Sequence, residues 1–293
     1  MTGRVLVTGS DGFTGLYVVR ALAARGYQPI EMDGPRSTGP AATNLLDHEA
    51  LERFVEKHLP IDYVVHLAGQ AFVAHENPAE QYEVNLIGSA NLLRAIARVC
   101  PSVRKMILAS SANVYGRPAT LPAPESSPAA PLSDYGVSKY AMELMARTWF
   151  ERLPILIVRP FNYTGVGQSE RFVIAKVAKR LRDRIPEIEV GNTSVVREFN
   201  DVRDVADVYA QLLGSAAVSD VVNICSGVGH RLSSVIEAMV RLAGYDAKLR
   251  STPTLQRYGE IMELVGSTVK LRSAAGRPQF RPLGDTLRWM LAP

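Results

Sequence analysis

Apolar and polar positions alternate with two different periods along the first half of the chain. Arg4–Thr8 (RVLVT) is a short β-branched run that stops at Gly9. Residues 13–25 then place Phe13, Leu16, Val19 and Leu22 on one helical face. The alternation continues with a predicted strand over Gln28–Met32, a helix over Leu45–His58 and a strand over Tyr63–Leu67. A long amphipathic helix follows over Pro78–Val99, then a strand over Met106–Ala109, a helix over Leu132–Glu151 and a strand over Ile155–Val158. Short apolar strands separated by helices predict an α/β chain whose parallel sheet is covered on both faces.

From Pro160 the pattern loosens. Helices are predicted over Phe172–Arg184, Val202–Leu213 and Ser234–Ala243, with a short strand at Glu189–Val190. Val221–Ile224 is an apolar strand placed to return to the main sheet. The tail from Ser251 shows little pattern until Leu287–Met290. Pro118–Pro131 holds five prolines in fourteen residues and is expected to be a loop.

Composition narrows the class. Hydrophobic residues make up 47% and charged residues 21% of 293, enough for a sizeable core. The net charge of +4 is mild, and its one loose cluster (Lys176, Lys179, Arg180, Arg182, Arg184) reads as a solvated helix face. No basic stripe interleaved with aromatics suggests nucleic acid. The two cysteines, Cys100 and Cys225, form no CxxC pair, so no zinc or other metal site is expected and a reducing compartment is. No apolar run approaches the ~20 residues of a membrane span. A strand follows Met1-Thr-Gly-Arg4 directly, so no signal peptide is read and the cytoplasm is the expected location.

Gly9-Ser-Asp-Gly-Phe-Thr-Gly15 (G-x-x-G-x-x-G) lies between the first strand and the first helix. Gly9 would permit the tight turn, Gly12 the approach of a pyrophosphate, and Gly15 close packing of helix on strand. The helix N-terminus would offer N–H groups and a positive dipole end to the phosphates. Asp11, Phe13 and Thr14 belong to the same turn. This points to a Rossmann-type doubly wound sheet binding NAD(H) or NADP(H). Asp33, at the end of the second strand, suits the adenosine ribose hydroxyls and tips the balance to NAD. Arg36, three residues on, could instead accept the extra phosphate of NADP.

Tyr135-Gly-Val-Ser-Lys139 puts Tyr and Lys four apart, on one helix face. An ammonium beside a phenol favours phenolate and is expected to bring the Tyr135 pKa down toward neutrality, where it can serve as acid or base. Ser110-Ser111 ends a strand about 24 residues earlier, and the Ser111 hydroxyl could hold the reacting oxygen beside Tyr135.

This combination resembles the extended short-chain dehydrogenase/reductases of the nucleotide-sugar branch. His66-Leu67-Ala68-Gly69-Gln70 looks like the family's segment beneath the cofactor, and Asn44-Leu45 like its adenine-side segment. Asn85 looks like its helix asparagine, and Arg159-Pro160-Phe161-Asn162 like the stretch that passes the nicotinamide and reaches the sugar nucleotide. The resemblance implies a catalytic set of Ser111, Tyr135 and Lys139.

It leaves epimerase, dehydratase, decarboxylase and reductase open. Family dehydratases resemble one another in a carboxylate pair just after the Ser. Here those positions are Ala112 and Asn113, neither of which can be a general base. Cys100 and Cys225 do not match the Cys of double epimerases. The later stretches look most like GDP-6-deoxy-4-keto-mannose reductases, which form GDP-rhamnose. That implies NAD(P)H-dependent reduction of a 4-keto-6-deoxy sugar, with a nucleotide-sugar 4-epimerase as the alternative and a non-catalytic NAD(P)-binding regulatory protein as a different class. By resemblance the substrate would meet Gln70, Ser111, Ala112, Asn113, Tyr135, Asn162, Phe172, Val173, Lys176, Val190, Arg197 and Arg257. Residues 1–160 would form the dinucleotide-binding domain, with 198–226 returning to it, and 161–197 with 227–293 a smaller C-terminal substrate-binding lobe. Pro78–Val99 and Leu132–Glu151 would pair across a two-fold as a four-helix bundle in a homodimer.

Overall fold

Five short runs in the first 160 residues become adjacent strands: four are apolar enough to be buried on both faces, while Gln28–Met32, with Gln28 and Glu31 exposed, forms the edge. The computed structural model describes residues 2–71, 77–252 and 260–292. In chain order the first part runs β1 (Arg4–Thr8), α1 (Phe13–Ala24), β2 (Gln28–Met32), α2 (His48–Lys57) and β3 (Tyr63–His66). Next come α3 (Pro78–Tyr82), a π-helical stretch (Glu83–Gly88), α4 (Ser89–Val99), β4 (Lys105–Ala109), α5 (Asp134–Arg147) and β5 (Ile155–Pro160). The second part contains β6 (Tyr163–Thr164), α6 (Val173–Arg182), β7 (Glu187–Val190), β8 (Val196–Arg197), β9 (Asn200–Asp201), α7 (Val202–Leu213) and β10 (Asp220–Ile224). It ends with β11 (His230–Arg231), α8 (Leu232–Ala243), β12 (Lys248–Ser251), β13 (Glu263–Leu264), α9 (Val269–Ala275) and α10 (Leu283–Leu291).

The main sheet has the order β10-β5-β4-β3-β1-β2, and all its pairs are parallel. One face buries Leu51, Phe54, Leu92, Ile96 and Met142 from α2, α4 and α5. The other buries Val18, Leu22, Val205, Val208, Tyr209 and Leu212 from α1 and α7. The fold is therefore the doubly wound Rossmann type. The chain leaves β1 in one direction to β2 and in the other to β3. That reversal opens a crevice at the carboxyl ends of β1 and β3, the place where such sheets take their ligands.

Several boundaries move for local reasons. The helix expected from Leu45 begins at His48, because the Asp47 side chain caps it by accepting from Ala50 N at 2.9 Å. The helix expected from Leu132 begins at Asp134, where Ser133 caps Gly136 N. The Pro78–Val99 helix is continuous but under-wound by the π-helical stretch around Asn85. In the second part, α6, α8 and α10 pack around Ile188, Val190, Val195 and Phe199 as a separate core. Strand β7 is longer than Glu189–Val190 and pairs with β12, a strand leading into the tail and without a counterpart among the predicted elements.

Candidate active site

The N-terminal glycines meet the geometry their spacing demands. Gly9 has φ +68°, and a Cβ there would lie 2.9 Å from the Ala68 backbone. A Cβ on Gly15 would lie 2.1 Å from the Gly9 carbonyl oxygen, so no larger residue lets α1 sit on β1. Gly12 is the N-cap of α1 and supplies no capping side chain, and the first turn holds no acidic residue. The first-turn N–H groups thus face the crevice without a competing anion.

Around this turn, Asp11 accepts from Gly34 N at 3.2 Å. Phe13 stacks on Tyr163 with centroids 6.1 Å apart, and the Thr14 and Tyr163 hydroxyls are 2.8 Å apart. Asp33 follows β2 directly and accepts from the hydroxyls of Ser10 at 2.7 Å and Ser37 at 3.3 Å. The exposed Arg36 reaches Glu80 at 3.4 Å, and Glu80 also accepts from the Gln70 amide at 3.0 Å. Asn44 turns the chain by accepting from Leu46 N, while Leu45 is buried against Gly88. Leu67 N is held by Thr8 O and Ala68 N by Thr8 Oγ1. Gly69 passes so close to Asn85 and Lys139 that a Cβ would lie 2.7 Å from Asn85 Oδ1 and 3.0 Å from Lys139 Nζ.

Ser110 and Ser111 directly follow β4, and Tyr135 lies in the first turn of α5, one residue after Asp134. All three side chains and that of Lys139 are buried. Ser111 Oγ accepts from both Asn113 N and Asn113 Nδ2 at 3.1 Å. With both lone pairs engaged, its proton goes to the Tyr135 oxygen, with which it is hydrogen-bonded. The phenol's own proton is then left for an acceptor in the crevice.

One expectation is corrected here. The Tyr135 phenol is pushed up to about 12, not down, because burial outweighs the Ser111 hydrogen bond. Lys139 does not offset it. Its ammonium donates to the Ala109 carbonyl at 2.8 Å, and burial brings Lys139 itself down to about 8. In this state Tyr135 is a protonated donor and Lys139 its partly charged neighbour.

Asn85 holds the loop beneath them. Its side chain accepts from Gln70 N at 2.9 Å and donates to Gln70 O at 3.2 Å and Ser138 Oγ at 3.0 Å. Ser138 in turn donates to the Tyr135 carbonyl. A one-residue insertion in the helical winding aims Asn85 inward, a common use of π-helical turns at functional sites.

Of the positions expected near substrate, Asn162 is exposed after β5, and Phe172 caps the α6 end from which Val173 and Lys176 extend. Ala112 is buried in the turn after Ser111, and Pro160 and Phe161 are buried at the end of β5. The Val190 side chain is buried in the lobe's core and its carbonyl accepts from Thr252 N at 2.9 Å, so neither faces a ligand. Arg197 donates to the carbonyls of Val196 and Ile261. Arg257 lies outside the described residues.

Three residues were missed. Tyr163 bonds Thr14 and lies near the Tyr135 phenol, and its only signal was its place directly after the Arg159–Asn162 stretch. Glu143 lies one turn beyond Lys139 on α5. Glu198 is fully buried and accepts from Gly266 N, Ser226 N, Ser226 Oγ and Asn200 Nδ2 at 2.7–3.0 Å. Among the described residues no helix is long and apolar enough to cross a membrane, and no cluster of His, Cys, Asp and Glu could hold a metal.

Residues 5–225 match the NAD dependent epimerase/dehydratase family. The chain is 33% identical over 304 residues to a GDP-6-deoxy-D-mannose reductase of Pseudomonas aeruginosa, covering 100% of this chain and 97% of that one. It is 30% identical over 273 residues to a GDP-6-deoxy-D-talose 4-dehydrogenase of Aggregatibacter actinomycetemcomitans, covering 93% and 91%. Its fold is similar to that of RMD from Pseudomonas aeruginosa complexed with NADPH, at TM-score 0.87 and 32% identity over 99% and 97% of the two chains.

Proposed function

We propose that this chain, which belongs to the NAD dependent epimerase/dehydratase family, reduces the 4-keto group of a nucleotide-linked 4-keto-6-deoxy sugar. GDP-4-keto-6-deoxy-D-mannose is the favoured substrate and GDP-D-rhamnose the product. The observation that carries the reading is the Ser111–Tyr135 donor pair, followed by Ala112 and Asn113 where elimination chemistry would need a base. Such a site can protonate an oxygen but offers no carboxylate at those two positions for removing a sugar proton and expelling water. The two relatives support the GDP-linked 6-deoxyhexose, since both names carry one.

The residues present fit a dinucleotide. The bare N-terminus of α1, with Gly9, Gly12 and Gly15, would hold the pyrophosphate, and Asp33 and Arg36 would flank the adenosine ribose. Leu67–Gln70 would run beneath the nicotinamide half, and Lys139 would hold its ribose. A bound reduced nicotinamide supplies a hydride for the ketone carbon. Tyr135 would give its proton to the ketone oxygen, and Ser111 would hold that oxygen by the proton now directed at Tyr135, a hydrogen bond that also favours the phenolate left behind. Arg197, Asn162, Phe172 and Lys176 would receive the nucleotide from the second lobe, residues 161–197 and 227–293. Two free, buried thiols, Cys100 and Cys225, support a reducing compartment such as the cytoplasm.

A 4-epimerase is the second reading, favoured by the family's description. The test is a screen of GDP-, dTDP-, UDP- and CDP-linked 4-keto-6-deoxy sugars with NADH and NADPH. Net oxidation of cofactor by the GDP-linked ketone above the others is expected. Interconversion of C4 epimers without net oxidation selects the epimerase. Dinucleotide binding without turnover of any sugar nucleotide selects a regulatory protein.

A further inference from the structure

Tyr135, Lys139 and Glu143 fall at i, i+4 and i+8 of α5, so the three side chains share one face and point at the ends of β4 and β5. Glu143 is the deepest of them, with no exposed surface. Its carboxylate accepts from the Ser110 hydroxyl at 2.5 Å, from Arg159 Nε at 2.8 Å and from Arg159 Nη2 at 2.6 Å. The two-pronged Arg159 contact satisfies both carboxylate oxygens and is buried on both sides. Arg159 is anchored in turn. Its guanidinium lies 4.7 Å from the centre of the Tyr115 ring, and a third nitrogen donates to the Glu125 carbonyl in the proline-rich loop. Tyr115 donates to Asn223 at 2.6 Å, which ties the assembly to β10.

A buried ion pair of this kind is poor value as mere support, since well-packed apolar residues of the same volume are often as stable. Its position suggests another use. We propose that Glu143, clamped by Arg159, is a positioning residue that fixes the Ser110–Ser111 turn beside the Tyr135 phenol and sets a fixed anion one helical turn beyond Lys139. The proposal rests on the reading of Lys139 given above.

The charges around Lys139 support it. Burial works against the ammonium, and Glu143 is the group that opposes burial. From β3, His66 faces Lys139 but is held neutral, with its own pKa brought down to about 3, so it does not titrate with it. On α5, Tyr135 is protonated up to about 12. On β5, Arg159 stays charged throughout, its pKa raised further by Glu143. The π-helical stretch presents the uncharged Asn85, and the loop after β3 presents Gly69. Glu143 is thus the anion on which Lys139 depends, and Ser110 transmits the same contact to the residue preceding Ser111.

The test is the titration of Lys139 itself in the full-length chain, read by NMR of ¹³Cε-labelled lysine, with the signal assigned by Lys139→Arg. The inflection for the wild type is expected near 8, where burial and Glu143 together place it. Glu143→Gln should move it down by about one pH unit or more, the size expected on losing an adjacent opposite charge. Glu143→Asp keeps the charge and should stay close to wild type. Should Glu143→Gln fail to fold for want of a partner for Arg159, Glu143→Gln/Arg159→Gln replaces the ion pair with an amide pair and should show a downward move, smaller because the Arg159 charge is lost with it. The pH at which NADPH and NADH affinity weakens, followed by cofactor fluorescence, should shift with the lysine. An unmoved inflection in the Gln variants, or an equal fall in Glu143→Asp, overturns the proposal while leaving the parent reading intact. A wild-type chain that binds neither dinucleotide removes both.

Discussion

At the scale of single residues, the proposed reduction calls on Tyr135 with its proton on. Burial holds the phenol near 12, so across the neutral range it is a donor, which is what reduction of a ketone needs. Tyr135→Phe should therefore lower the hydride-transfer rate by about 10²–10⁴-fold, the usual contribution of a positioned acid, while NAD(P)H affinity stays near wild type. Stopped-flow reduction and a fluorescence titration check the two halves, and near-wild-type turnover would remove Tyr135 from the mechanism. The Tyr135/Lys139 spacing and the Ser at a strand end were legible because both are local. The direction of the phenol's shift was not. It depends on how deeply Tyr135 is covered by residues distant in sequence, Tyr163 and Tyr209 among them, and spacing carries no such information.

At the scale of elements, the carboxyl end of β3 is joined to the π-helical stretch by one chain of hydrogen bonds. Ser89 Oγ donates to the Asn85 carbonyl at 2.7 Å, so at its 2.8 Å contact with His66 it accepts from Nε2–H. Nδ1 is then the acceptor of the Thr8 hydroxyl at 2.7 Å, and the ring is neutral with a defined tautomer. Burial and the nearby Lys139 bring the His66 pKa down from 6.5 to about 3. The unfolded chain therefore takes up a proton below pH 6.5 that the folded chain refuses, and stability falls with pH from about 6.5 toward 3. The loss due to this residue should reach about 2 kcal/mol between pH 7 and pH 5. Urea denaturation of the wild type and His66→Gln across that range should show a shallower slope for the variant. Equal slopes would mean that other groups carry the acid sensitivity. The apolar spacing of Pro78–Val99 predicted the helix, but a single extra residue in the winding leaves that spacing nearly unchanged. The inward aim of Asn85 was therefore visible only as a resemblance, never as geometry.

At the scale of the molecule, the main sheet was legible from its β-branched runs, whereas much of the second lobe was not. Strands β6, β8, β9, β11 and β13 have two residues each and exist through distant partners, as where Arg197 pairs with His230 and Leu264. Glu198 draws together β9, the loop after β10 and the Gly266 tail by four donors, a junction no local pattern announces. The outer surface of the sheet's other side is more telling. The helices α4 and α5 and the π-helical stretch cover one face with their inner positions, yet Ile87, Val137 and Leu144 on their outer positions are 49%, 39% and 49% exposed. Val137 and Leu144 are seven apart on α5 and so lie in one line. Large apolar side chains aligned on the exterior of neighbouring helices are what an isologous helix pairing would bury. We therefore expect the chain to sediment as a dimer at micromolar concentration. Ile87→Glu with Leu144→Glu places like charges in the centre of that contact and should shift it to monomer, with its circular dichroism unchanged. A wild-type chain that sediments strictly as a monomer shows that these helices serve only the chain's own core. A double variant that remains dimeric places the contact on another surface.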